Sequence, residues 1–182
     1  ALEDVNTRIA KAQQARPQVA GMGTTLVGAY LYPQGLAWIS VGDSPMWLYR
    51  TGELRRLNED HSLRETLGPE AGGLANMLQS ALVGGAIPLI DCHSEPMKLR
   101  DDDLILVASD GLLTLPEREI ARLVDENVKE PQHLTQILLQ AVEERAKPYQ
   151  DNCTLLIAAA PRQGWFSKLQ FYSGLQHQRR PR

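Results

Sequence analysis

The sequence predicts an α+β fold of layered sheets and helices, and three observations carry that prediction. Runs rich in β-branched and aromatic residues crowd positions 21–56, two helical patterns lie together between 116 and 146, and a strand pattern brackets that helical pair on either side. The chain has 182 residues, 43% hydrophobic and 23% charged, which suits one globular domain with an ordinary core.

Taken in order, Leu2, Val5, Ile9 and Ala12 recur at helical spacing up to Pro17, so a short amphipathic helix is expected over residues 2–15. The period then changes. Gly21–Tyr32, Gly35–Gly42 and Met46–Arg50 are separated by Pro-Gln-Gly and Asp-Ser-Pro, and read as an antiparallel meander continued by a hairpin turn at Thr51-Gly52. From Asn58 to Ala86 the chain is polar and glycine-rich, with Leu74–Leu82 its one helical stretch. "IPLI", "MKLR" and "DLILVAS" are the next strand candidates, and the last, being the most apolar, is expected at the centre of its sheet. "PEREIARLVDE" reads as a helix with Thr114 as its cap and Pro116 near its first position. "PQHLTQILLQAVEERA" reads as a second, more amphipathic helix. After Pro148, "DNCTLLIAAA" is a turn feeding an apolar strand.

Charge separates the chain into two parts. The net charge of −3 argues against nucleic acid as a partner, since a surface that tracks phosphates needs a basic excess. Beyond Pro161 stand Arg162, Lys168, Arg179, Arg180 and Arg182 with no acid among them; removing those five from −3 leaves the body at −8. The expected division is thus a domain over 1–160 and a basic tail or linker over 161–182. In that tail Trp165, Leu169 and Tyr172 fall at helical spacing beside Phe166; a frayed terminus or linker is preferred over a helix docking on a membrane surface. Cys92 and Cys153 are too few and too far apart for a disulfide framework or a zinc site. No stretch approaches the ~20 apolar residues of a membrane span, and no signal-peptide pattern is present. The expected location is therefore cytoplasmic.

Three aspartates stand at junctions of loop and apolar strand: Asp43 in "VGDSP", Asp110 after "DLILVAS" and Asp151 before "CTLLIAAA". Each alone reads as turn chemistry. Together they suggest a shared centre for a hard divalent cation, because Mg2+ and Mn2+ favour carboxylate oxygens and strand ends hold such ligands rigidly. The chain shows no P-loop, no HExxH, no GxSxG elbow and no cysteine-centred phosphatase signature.

Five stretches, in order, carry a family resemblance: "GMGTT" (21–25), "SVGDS" (40–44), "NEDHS" (58–62), "DDDLILVASDGLLTL" (101–115) and "QDNCTLLIAA" (150–159). Over residues 2–159 the chain resembles the metal-dependent protein phosphatases, the PPM or protein phosphatase 2C-like enzymes of bacterial type. The resemblance implies a β-sandwich of two antiparallel sheets flanked by helices. It implies a Mn2+ or Mg2+ centre of two ions, with a third held more weakly, that activates water to hydrolyse phosphoserine and phosphothreonine in the protein substrate of a cognate kinase. It assigns Asp110 and Asp151 as metal ligands, Asp43 to the third ion, and Gly111 and Asn152 as supporting neighbours, with no catalytic side chain beyond the ligands. His61 is read as a structural hydrogen-bonding residue, and Asp101, Asp102 and Asp103 as a solvated acidic loop of which only the last bears on the strand.

The chain departs from that pattern at two places. The family's Asp-Gly ligand motif and its phosphate-binding arginine, both near the amino end, are absent, and the chain enters directly into a helix from Ala1. Truncation or cleavage, a separate chain, and loss of catalysis are the three explanations; loss of an amino-terminal segment is favoured because missing strands would leave open sheet edges able to associate. On that reading this chain alone is inactive, and the alternative is a non-catalytic module that binds a phosphoprotein or a regulatory partner. Pro45 stands where many relatives carry arginine, and proline cannot replace a charged contact.

Overall fold

In the computed structural model, described for residues 2–32, 35–63, 77–147, 150–160 and 170–176, the chain divides into two units. The first gathers Ala1–Tyr30, Ala37–Ser44 and Asn58–Glu95; the second gathers Leu31–Leu36, Pro45–Leu57 and Pro96–Arg182.

In the first unit, helix α1 (Leu2–Ala15) has the limits its periodicity predicts. Asn6 is its one buried residue, and polar side chains anchor it. Asn6 Nδ2 donates to Gly85 O at 2.6 Å and Asn6 Oδ1 accepts from Gly84 N at 2.7 Å, while Gln13 Nε2 donates to Met22 O and Val83 O at 2.8 and 2.9 Å. A three-stranded sheet with most of its residues in this unit has the order β1 (Leu26–Tyr32), β2 (Gly35–Val41) and β5 (Asp91–Met97).

Three expectations fail in this region. Residues 77–82 are not helical: Leu82 bridges Thr24, Leu78 bridges Ser62, and Ser80 Oγ donates to Leu89 O and accepts from Leu89 N. Such long-range pairing outweighs local helix propensity; residues 74–76 lie outside the described residues. "IPLI" is irregular, and the strand runs through "DCHSEPM" instead of "MKLR". As the end strand of its sheet, β5 tolerates Asp91, Glu95 and Pro96, so it lacks the apolar run by which a strand is recognised.

The second unit is built on a five-stranded sheet, antiparallel throughout, in the order β4-β3-β6-β7-β8. Its strands are β3 (Met46–Arg50), β4 (Glu53–Arg56), β6 (Leu104–Ala108), β7 (Cys153–Ala159) and β8 (Gln170–Gln176). The meander read from the sequence is therefore broken, since β2 and β3 belong to different sheets. β6 is central, as its apolar character predicts. The β3–β4 hairpin turns on Thr51 and Gly52 with φ of 49° and 86°, the two positive values that a two-residue turn of matching twist requires.

Helices α2 (Glu117–Asn127) and α3 (Pro131–Glu144) cover one face of this sheet. Ile120 and Val124 of α2 and Leu134, Leu138 and Val142 of α3 are fully buried against Trp47, Leu106, Leu155 and Ile157. Trp47 Nε1 donates to Glu117 Oε1 at 3.2 Å and Tyr49 Oη donates to Asp125 Oδ1 at 2.5 Å, so the aromatic groups at the core margin find acceptors on α2. The cap of α2 is Pro116; Thr114, expected in that role, ends a short 3-10 helix at Asp110–Thr114. Residues 170–176, placed by sequence in the tail, run as β8 beside β7, with Tyr172 opposite Ile157 on a strand where a helical stripe is expected. Trp165, Phe166 and Leu169 lie outside the described residues.

Candidate metal centre

The antiparallel pairing of β6 with β7 sets Ala108 opposite Leu155. The residues that follow β6 and those that precede β7 therefore emerge at the same end of the sheet, and these include Asp110 and Asp151. Ser109 joins the two loops. Its N–H donates to Thr154 O at 3.0 Å, its Oγ donates to Asn152 O at 3.2 Å, and the same Oγ accepts from Thr154 N at 3.0 Å. Asp151 Oδ1 accepts from the N–H of the next residue, Asn152, at 2.9 Å at the strand entry.

Gly111 fits into the same junction. A Cβ placed there would stand 2.3 Å from Asn152 O, 2.8 Å from Asn152 C and 3.0 Å from Cys153 Cα. All three contacts are backbone, so glycine is what lets the turn carrying Asp110 close on the turn carrying Asp151. Electrostatics mark the proximity as well: burial, with the charge of Asp110 added, pushes the Cys153 thiol up to about 11. A thiol so placed stays protonated and is no nucleophile at neutral pH. Cys92 is exposed and Cys153 fully buried. Ellman titration of the folded chain at neutral pH is expected to find one fast thiol, the second reacting only in denaturant; two fast thiols would mean that the start of β7 is not closed.

Asp43 belongs to the first unit, Asp110 and Asp151 to the second. Its loop is firmly built. Gly42 has φ +108° and lies against Thr25, where a Cβ would stand 2.4 Å from Cγ2. Gly42 N donates to His61 Nδ1 at 3.2 Å, His61 N donates to Gly42 O at 3.2 Å, and Ser44 Oγ lies 2.8 Å from Thr25 Oγ1. Asn58 Nδ2 donates to Ser44 O at 2.9 Å and to Ser40 Oγ at 3.2 Å. Thus "NEDHS" braces "SVGDS", with His61, 2% exposed, bonded to Gly42 through Nδ1 and its backbone N–H, while its buried Nε2 has no hydrogen-bond partner among the described residues. Asp103 departs from expectation: it is 1% exposed and accepts from Arg50 Nε, Arg50 Nη2 and Arg100 N at 2.9, 2.6 and 2.7 Å. The solvated part of the acidic run is Asp101 and Asp102, both exposed.

The structure thus brings together Asp110, Gly111, Asp151 and Asn152. Sequence reasoning overlooked Ser109, although its place between an apolar strand and Asp-Gly was a usable signal. Carboxylate oxygens at rigid strand ends, closed by a glycine cradle, are donors that suit a hard divalent cation. Among the described residues no cluster of three or more His, Cys, Asp or Glu side chains forms a metal-binding group. Nor is any described helix long and apolar enough to cross a membrane.

A family model described as "Stage II sporulation protein E (SpoIIE)" matches residues 1–161. The serine/threonine phosphatase Stp of Listeria welshimeri is 31% identical over 130 residues, covering 65% of this chain and 50% of that protein, so the chain spans about half the length of that relative. The crystal structure of the Mycobacterium tuberculosis serine/threonine phosphatase PstP superposes with a TM-score of 0.71 at 25% identity, covering 84% of this chain and 66% of that one. The catalytic domain of PstP solved in complex with two manganese ions gives a TM-score of 0.64 at 26% identity, covering 84% and 64%. Two antiparallel sheets with helices, the ordered motifs and these matches agree: the chain belongs to the SpoIIE family and, with it, to the metal-dependent, phosphatase 2C-like PPM proteins.

Proposed function

We propose that this chain forms part of a metal-dependent phosphatase that removes phosphate from serine and threonine residues of proteins. The observation that carries the reading is the junction at which Ser109 and Gly111 fix Asp110 and Asp151 on adjacent strand ends. Two bound Mn2+ or Mg2+ ions would supply a water acidified for attack and a positive clamp on the phosphoryl oxygens. The chain's own part is to hold Asp110 and Asp151 as oxygen ligands, with Asn152 and Gly111 shaping the backbone around them. Asp43 serves a third, weaker ion from its braced loop. The substrate is the phosphoprotein product of a cognate kinase, and the compartment is the cytoplasm. Uncharged edges such as β8 are where copies would associate.

Two carboxylates are too few for a dinuclear centre, since each ion needs several oxygen ligands. The chain by itself therefore hydrolyses phosphopeptides slowly or not at all. The absence of a three-donor cluster among the described residues also favours a second reading, a phosphatase-like module that binds a phosphoprotein or regulatory partner without catalysis.

The test is calorimetry of Mn2+ binding to the full chain and to Asp110→Asn, paired with hydrolysis of a phosphothreonine peptide. Weak Mn2+ binding that falls about tenfold or more in the variant, a loss of roughly 1.4 kcal/mol, is expected. Equal affinity in both chains would remove Asp110 from the site. Rapid Mn2+-dependent turnover by the unmodified chain would overturn the statement that the site is incomplete.

A further inference from the structure

A cavity of about 750 Å³ opens within the second unit, where β3 ends, β6 begins and β7 ends. β6 separates it from Asp110, and five residues of strand put it roughly 15–20 Å from the carboxylate pair. Its volume falls within the range of small-molecule sites.

Leu104, Val128, Pro131 and Ala159 give it an apolar wall. Arg50 supplies an oriented cation. Asp103 grips Arg50 through Nε and Nη2, and Lys98 O accepts from Nη2 at 3.0 Å. Nη1 has no partner among the described residues, so the guanidinium is held in place with donors to spare. Arg100 and Lys129 add two exposed cations to the lining, and Asp101 and Asp102 add two exposed anions.

We propose that this cavity binds a small organic monocarboxylate with an apolar body. The carboxylate meets Nη1 of Arg50, with Arg100 and Lys129 beside it, and the body lies on the apolar wall. Singly charged ligands are selected because Arg50 is balanced by Asp103, and Arg100 and Lys129 by Asp101 and Asp102. A lining of zero formal charge accepts one carboxylate at an oriented guanidinium but repels phosphate esters and polyphosphates from its own acids. The site is thus chemically unlike one that takes a phosphorylated side chain, and it does not depend on the metal reading.

Phenylacetate, its neutral isostere phenylacetamide and inorganic phosphate are the probes, titrated into the full chain by calorimetry and by thermal shift. Phenylacetate is expected to bind in the millimolar range and raise the melting temperature, while phenylacetamide and phosphate bind about tenfold more weakly or not at all. The variant Arg100→Gln/Lys129→Gln, changed only at exposed side chains, should weaken phenylacetate several-fold. Val128→Trp, which fills the cavity, should abolish binding. Equal binding of acid and amide, no binding of phenylacetate, or affinity unchanged in the double variant would each overturn the proposal. The double variant decides the matter even if Val128→Trp fails to fold.

Discussion

Gly111→Ala is expected to lower the stability of the chain by about 2 kcal/mol and, with it, to weaken Mn2+ binding about tenfold or more. The added methyl would stand 2.3 Å from Asn152 O, and its three nearest neighbours are all backbone atoms, so rotating a side chain does not relieve the clash. Relief requires the turn after β6 to part from the turn before β7, and parting them separates Asp110 from Asp151. Gly85→Ala is the control: nothing lies within 4 Å of the added carbon, and the change is expected to shift stability by less than about 0.5 kcal/mol. Urea denaturation compares the two. A Gly111→Ala chain with unaltered midpoint and Mn2+ affinity would mean that the junction is loose in solution.

The second large effect belongs to Asp103. Asp103→Ala is expected to cost about 2–3 kcal/mol, because it strips a partly exposed guanidinium of its counter-charge and leaves the Arg100 N–H without its acceptor. The loss should come mainly from the stranded partner and not from the pair's own worth. Combining Asp103→Leu with Arg50→Met is therefore expected to recover much of the stability lost in Asp103→Leu alone. Midpoints of urea denaturation for the single and double variants make the comparison. A double variant no more stable than the single one would show that the pair contributes beyond charge compensation.

Legibility in the sequence followed the physics of each segment. Helix α1 and strands β2, β3, β6 and β7 were readable to within a few residues because apolar periodicity or an unbroken apolar run sets them. The stretch from Leu78 to Met97 was not, since its conformation is decided by bridges to Thr24 and Ser62 and by the Ser80 hydroxyl, none of them local. At the candidate site Asp110 and Asp151 stood out only as a set, through their shared place at the ends of apolar strands and the order of the motifs around them, since each alone reads as turn chemistry. The role of Asp103 could not be read, for an aspartate buried on an arginine is defined by a partner 53 residues away in sequence, and Ser109, whose place before Asp-Gly was a signal, shows what it ties together only through a partner 43 residues away.

The register of β6 on β7 has a consequence for how such chains can diverge. The two strand ends are held together by their pairing and by the Ser109 hydroxyl, while α2 and α3 pack over the sheet and the loop joining them closes the path between the strands. Insertions at the helical turn around Glu130 lengthen that path without moving either strand end. A descendant that grew new surface there would remodel the wall that Val128, Lys129 and Pro131 give the cavity, while the register of β6 on β7 stayed as it is.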